Sequence, residues 1–91
     1  MHDDDVAPHF ADLFVRLGRA ATRGDYESPE LTDAVTRGAV GGREAGVRPE
    51  RILAYLRSRL QDEPLADIGD WYRTVLADRI VARAIEAYYR S

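Results

Sequence analysis

The sequence predicts an all-α fold, a compact bundle of four helices at about residues 8–23, 28–45, 49–61 and 65–89. Two observations carry this. Apolar residues recur at the three- and four-residue spacing of a helix with one buried stripe. Helix stops and starts also punctuate the chain at regular intervals: Gly24, Ser28-Pro29, Gly46 followed by Pro49, and Pro64. Ninety-one residues suffice for one core and leave no room for a second, so residues 1–91 read as a single helical domain. Residues 1–7 read as a flexible acidic tail in front of it.

The first helix opens after Asp3-Asp4-Asp5, whose charge suits the positive end of a helix dipole. Pro8 fits its first turn, and Phe10, Leu13, Phe14, Leu17 and Ala21 make the apolar stripe. Gly24 can take the positive φ that ends it. The second helix starts at Ser28-Pro29-Glu30, with serine as cap, proline in the first turn and glutamate near the dipole. Its apolar face is small: Leu31, Val35, Ala39, Gly42 and Ala45, with Gly38 and Gly41 beside them. Interior glycines cost about 1 kcal/mol each against alanine. Such a helix either admits a neighbour at close range or breaks near Gly41-Gly42. Gly46 closes it and Pro49 opens the third helix, whose stripe is Ile52, Leu53, Leu56 and Leu60, flanked by Tyr55. The second and third helices are therefore expected to meet at Gly46 as a tight antiparallel or crossed pair. Pro64 ends the third helix.

The fourth helix, residues 65–89, has a potential interruption at Gly69-Asp70, where Asp70 would cap a fresh start. Its apolar residues read as two faces. Trp71, Tyr72, Val75 and Leu76 form one, with Trp71 expected in the core. Ile80, Val81, Ala84, Ile85 and Tyr88 form the other. A helix apolar on two sides is central to its bundle or shared with a partner.

The net charge of −3 is unevenly spread: residues 1–34 carry −5, residues 35–61 carry +4, and residues 62–91 carry −2. The basic middle either faces an acidic partner or is neutralised by its own flanks. All thirteen cations are arginine, with no lysine and no asparagine, which reads as codon usage in a GC-rich, bacterial genome. No cysteine is present, so no disulfide or thiolate site is available. The start of the chain lacks a basic signal-peptide region, and no apolar run nears the length of a membrane span. A cytoplasmic protein is expected.

Functional chemistry is sparse. His2, His9 and Asp3–Asp5 read as a solvated tail rather than a metal site. Asp67, Asp70 and Asp78 have no histidine, cysteine or lysine nearby, and the glycine cluster lacks the lysine of a phosphate loop. No catalytic residue, metal ligand or cofactor is nominated, and the chain reads as a non-enzyme.

One pattern carries more. A small residue, a turn glycine four positions on, an apolar residue directly after, and further apolar positions six and nine residues past the glycine are filled by Gly42, Gly46, Val47, Ile52 and Tyr55. In these positions the stretch resembles the helix-turn-helix family of DNA-binding proteins, over about a fifth of the chain. Gly41-Gly42, Leu53 and Glu50 depart from the pattern. The resemblance implies a reading helix whose arginines contact phosphate or guanine edges. Arg43, Arg48, Arg51 and Arg57 are the candidates, for DNA or for another acidic partner.

At the other end, Tyr88 and Tyr89 beside Arg90 fit core packing and a protein interface equally well. Val81, Ile85, Tyr88 and Tyr89 are the interface candidates. The expected function is a small protein–protein interaction or regulatory module, with a homodimer through the fourth helix as one form. The alternative is a DNA-binding transcriptional regulator using residues 38–60.

Overall fold

The computed structural model describes residues 5–62 and 69–90. They form four α-helices: α1 Ala7–Arg23, α2 Pro29–Glu44, α3 Pro49–Asp62 and α4 Asp70–Arg90. There is no strand among the described residues, and the all-α four-helix bundle is the observed architecture. Around the bundle the order is α1, α2, α4, α3. The ring closes where Tyr55 of α3 meets Phe10 and Phe14 of α1, at ring-centroid distances of 6.3 and 6.2 Å.

Each helix boundary has a local cause. Gly24 is left-handed at φ 71°, and the Asp25 N–H closes back onto the Ala20 carbonyl at 3.1 Å. Ser28 is extended, and its Oγ accepts the Glu30 N–H at 3.1 Å. Gly46, at φ 85°, ends α2. The Val47 N–H then bonds the Gly42 carbonyl at 2.9 Å and the Gly46 N–H bonds the Arg43 carbonyl at 3.0 Å, the paired bonds of a Schellman stop. The helix expected from residue 65 is described from Asp70, with the Arg73 N–H on the Gly69 carbonyl at 2.9 Å, so Asp70 is the first helical residue and not the cap expected of it. Residues 63–68 lie outside the described residues. So does most of the expected tail, residues 1–4. Asp5, Val6 and Ala7 correct that expectation: Val6 is fully buried and α1 begins at Ala7, so these three residues belong to the folded domain.

α2 runs unbroken through its glycines, and they are the reason α1 and α3 come so close. A Cβ on Gly38 would lie 2.5 Å from the Phe10 ring and 2.7 Å from the His9 carbonyl oxygen. On Gly41 it would lie 3.0 Å from His9 Nδ1, and on Gly42 3.0 Å from the Ile52 side chain. The helix loses propensity at these positions and gains contact between backbone and neighbouring side chains. Phe10, Leu13, Leu17, Val35, Leu56 and Leu60 fill the centre. Each buried side chain of that size contributes about 1.5–3 kcal/mol of transfer free energy. Ala20 takes the core position expected of Ala21, which is half-buried.

α4 corrects the two-faced reading. Its buried residues are Leu76, Ile80, Val81, Ala84 and Ala87, one continuous stripe in which Leu76 and Ile80 are neighbours four residues apart. Trp71 is not core: it is 77% exposed. The sliding of the apolar set along the helix arises because it is two superposed stripes, one inward from Leu76 to Ala87 and one outward from Trp71 to Tyr89.

Candidate functional site

Two regions hold the predicted site residues. The first is the basic stretch around the Gly46 turn. α2 and α3 meet across the Gly46 turn, where the Gly42 backbone lies against the Ile52 side chain, and they pack on each other far less than either packs on α4. The arginines, however, are largely engaged within the fold. Arg43 donates to the Tyr88 carbonyl at 3.1 Å. Arg51 grips the Asp5 carboxylate through both terminal nitrogens, at 2.5 and 2.7 Å. Arg57 lies 3.8 Å from Asp78. Arg37 reaches Asp12 at 2.9 Å, and Arg59 lies over the Phe14 ring at 4.3 Å. Arg48 is exposed and pairs with no described side chain. Leu53, which the DNA reading would place toward the duplex, is half-buried against the core.

The acids that neutralise this stretch come from the flanks. Asp12 illustrates the arrangement. It accepts from Arg16 at 2.8 Å and from Arg37 at 2.9 Å, joining α1 to α2. The Arg16 hydrogen bond is the main cause holding the Asp12 carboxyl below its ordinary value of 3.8, and the same bond raises Arg16. Charges paired at the surface add little stability individually, but they cancel the local field a nucleic acid would feel.

The second region is α4. The four interface candidates part company here. Val81 is 3% exposed and belongs to the core. Tyr88 is half-buried and tied down: its hydroxyl donates to the Val47 carbonyl at 2.7 Å, which fixes the end of α4 against the Gly46 turn. Ile85 and Tyr89 are open, at 36% and 69%. The Tyr89 ring meets the Tyr88 ring edge to face, with centroids 5.2 Å apart.

Sequence reasoning missed the residues that complete this surface. Trp71, Val75, Asp78, Ala82, Ile85 and Tyr89 are spaced 4, 3, 4, 3 and 4 apart, so they line one face of α4 directly opposite the buried stripe. Five of the six are apolar. Ile85 and Tyr89 were expected at an interface, but the seam was split: Trp71 and Val75 fell to one face and Ile85 to the other, with Asp78 and Ala82 in neither. On one side the face adjoins a groove between α2 and α4 of about 420 Å³, whose rim carries the Arg79–Glu27 and Arg83–Glu86 pairs. On the other it adjoins α3, where Arg73 donates to the Leu60 carbonyl at 2.8 Å.

Among the described residues no group of three His, Asp or Glu side chains converges as a metal would need; His2, Asp3, Asp4 and Asp67 lie outside them. No helix is long and apolar enough to cross a membrane, the described residues being those searched. Comparison with protein-family models, with curated proteins and with solved structures finds no match.

Proposed function

We propose that this chain is a non-enzymatic protein–protein interaction module that docks through the outward face of α4. One observation carries the reading: a 4-3-4-3-4 seam, exposed except at half-buried Val75 and ending in Trp71 and Tyr89, on a helix whose opposite face already supplies the core. Large aromatics are costly to leave in water and are enriched where proteins meet. No nucleophile, base or cofactor is needed for that role. The cysteine-free, all-arginine composition is in keeping with a cytoplasmic bacterial protein.

A photo-cross-linking side chain at Trp71, Ile85 or Tyr89 should yield a discrete protein adduct, while the same group at Val15, exposed on α1, should not. Equal labelling from all four positions would contradict the reading. The second reading, a DNA-binding regulator using residues 38–60, is favoured by the Gly46 stop, the Pro49 start and the packing of Gly42 on Ile52 across the turn. Among the described residues Arg48 is the one arginine of 38–60 with no partner, so binding to mixed duplex DNA is expected to be absent near 150 mM salt, where exposed charge is screened over about 8 Å. Submicromolar binding that Arg48→Ala weakens would establish it instead.

A further inference from the structure

We propose that the occupant of the outward face of α4 is a second copy of this chain, in an antiparallel α4–α4 pair centred on residue 80. The inference rests on the docking reading above and names its partner. Its warrant is the order of residues along the seam. Trp71 and Tyr89 are equidistant from residue 80, as are Val75 and Ile85, and as are Asp78 and Ala82. Two copies related by a twofold axis would therefore match aromatic to aromatic at both ends, aliphatic to aliphatic further in, and the one acid to a small residue at the centre. A surface that matches itself under a twofold axis is what an isologous dimer requires.

Asp78 decides orientation. In a parallel, in-register pair the two Asp78 carboxylates would face each other, and like charges at short range oppose ionisation of both. In the antiparallel pair each Asp78 meets Ala82 of the second copy. The missing bulk leaves the carboxylate room to keep Arg57, 3.8 Å away, and to stay hydrated. A single polar residue in an apolar seam specifies register at a cost in affinity. One flank brings the two Arg79 side chains together, but each is already paired with Glu27 of its own chain at 3.4 Å, so the edges meet as neutral pairs.

α4 has 21 residues and is about 31 Å long. One helix pair of that length falls at or below the low end of the ~1,200–2,000 Å² of stable interfaces, so the dimer is expected to be weak, with dissociation in about the micromolar range or above. Nothing in the core has to open for it to form, because the inward stripe is separate.

The test uses the absence of native cysteine. Full-length Val75→Cys and Ile85→Cys chains are mixed in equal amounts and oxidised, and each is oxidised alone. The mixed disulfide should dominate, with little cross-linking of either chain to itself. Sedimentation equilibrium of the unmodified chain should show a reversible dimer. Ile85→Glu should weaken it on the order of 100-fold, because an unpaired charge enters the contact twice. That variant should keep its helical circular dichroism, since Ile85 lies at the surface of the single chain. Trp71→Glu, more exposed still, is the second variant should the first lose its fold.

Efficient Val75→Cys self-cross-linking would overturn the antiparallel pair. A chain that stays monomeric at high concentration, yet gives a defined adduct with another protein from Trp71 or Tyr89, would overturn self-pairing and leave the docking face standing. A monomer with no adduct at any α4 position would overturn both.

Discussion

The basic stretch around Gly46 and the outward face of α4 are the two chemically richest regions of the molecule, and the fold treats them in opposite ways. Around Gly46, the groups that looked available are used internally. Arg51 holds the start of the chain through Asp5, Arg43 and the Tyr88 hydroxyl tie α4 to the turn, and Gly38, Gly41 and Gly42 are filled by neighbours. On α4, the residues that looked like core, Trp71 above all, are left in water. The difference teaches that excess charge in a short segment is a poor sign of a binding surface when acids elsewhere in the chain can reach it. A second apolar stripe on a helix that already has a buried one is a better sign, because its ends, Trp71 and Tyr89, stay exposed beside the described residues.

Substitutions in the two regions should have separable effects. The largest effect is expected inside the α2 contact. Gly38→Val places side-chain atoms into the Phe10 ring and the His9 carbonyl and should cost about 3 kcal/mol or more, read as loss of the cooperative thermal transition. A well-folded Gly38→Val protein would mean that α1 and α2 are not so close. Tyr88→Phe comes next. It removes the donor to the Val47 carbonyl and should cost about 1 kcal/mol in urea denaturation, with α4 still helical. Trp71→Ala should leave folding stability within about 0.5 kcal/mol while abolishing association, the signature of a residue with no role in its own core. If that variant is strongly destabilised, the division between the two stripes of α4 is wrong.

Smaller effects test the charged region. Arg51→Ala should cost no more than about 1 kcal/mol, and Arg48→Ala essentially nothing, by the same denaturation assay. Asp12→Asn should show its effect only through pH. The Asp12 carboxyl is held below 3.8 by Arg16, so its contribution is present above that value and is lost as the pH falls through the lowered one. The variant should therefore lose part of the acid limb of the stability curve, and match the parent most closely at the lowest pH where both remain folded.

Much of the fold was legible in the sequence because its signals are local. Ser28-Pro29, Gly24 and Gly46 act through the backbone of their own residues, and the observed caps are the ones their chemistry dictates. The close approach implied by Gly38, Gly41 and Gly42 was legible too, though its partners His9, Phe10 and Ile52 were not. The candidate site was far less legible. Whether Arg43, Arg51 and Arg57 are free depends on Tyr88, Asp5 and Asp78, which are distant along the chain. Whether Val6 belongs to a tail depends on a core that periodicity from residue 10 onward does not reach. Trp71 was misplaced for a different reason. Aromatic size argues for burial, but its angle on α4, opposite Ile80, fixes it outward, and angle prevails over residue type when a helix has only one side against the bundle.

Trp71 also supplies the most direct measurement of the central claim, because it is the chain's sole tryptophan and lies at the end of the proposed seam. Its fluorescence can be followed, without any label, as the protein is concentrated. The account predicts a solvent-like, readily quenched emission in dilute solution. On concentration it should shift to the blue and become protected from quencher, and Ile85→Glu should prevent both changes. An emission that is blue-shifted and protected at every dilution would place Trp71 in its own core. One that stays solvent-like up to the highest concentration attainable would contradict a self-paired α4 face.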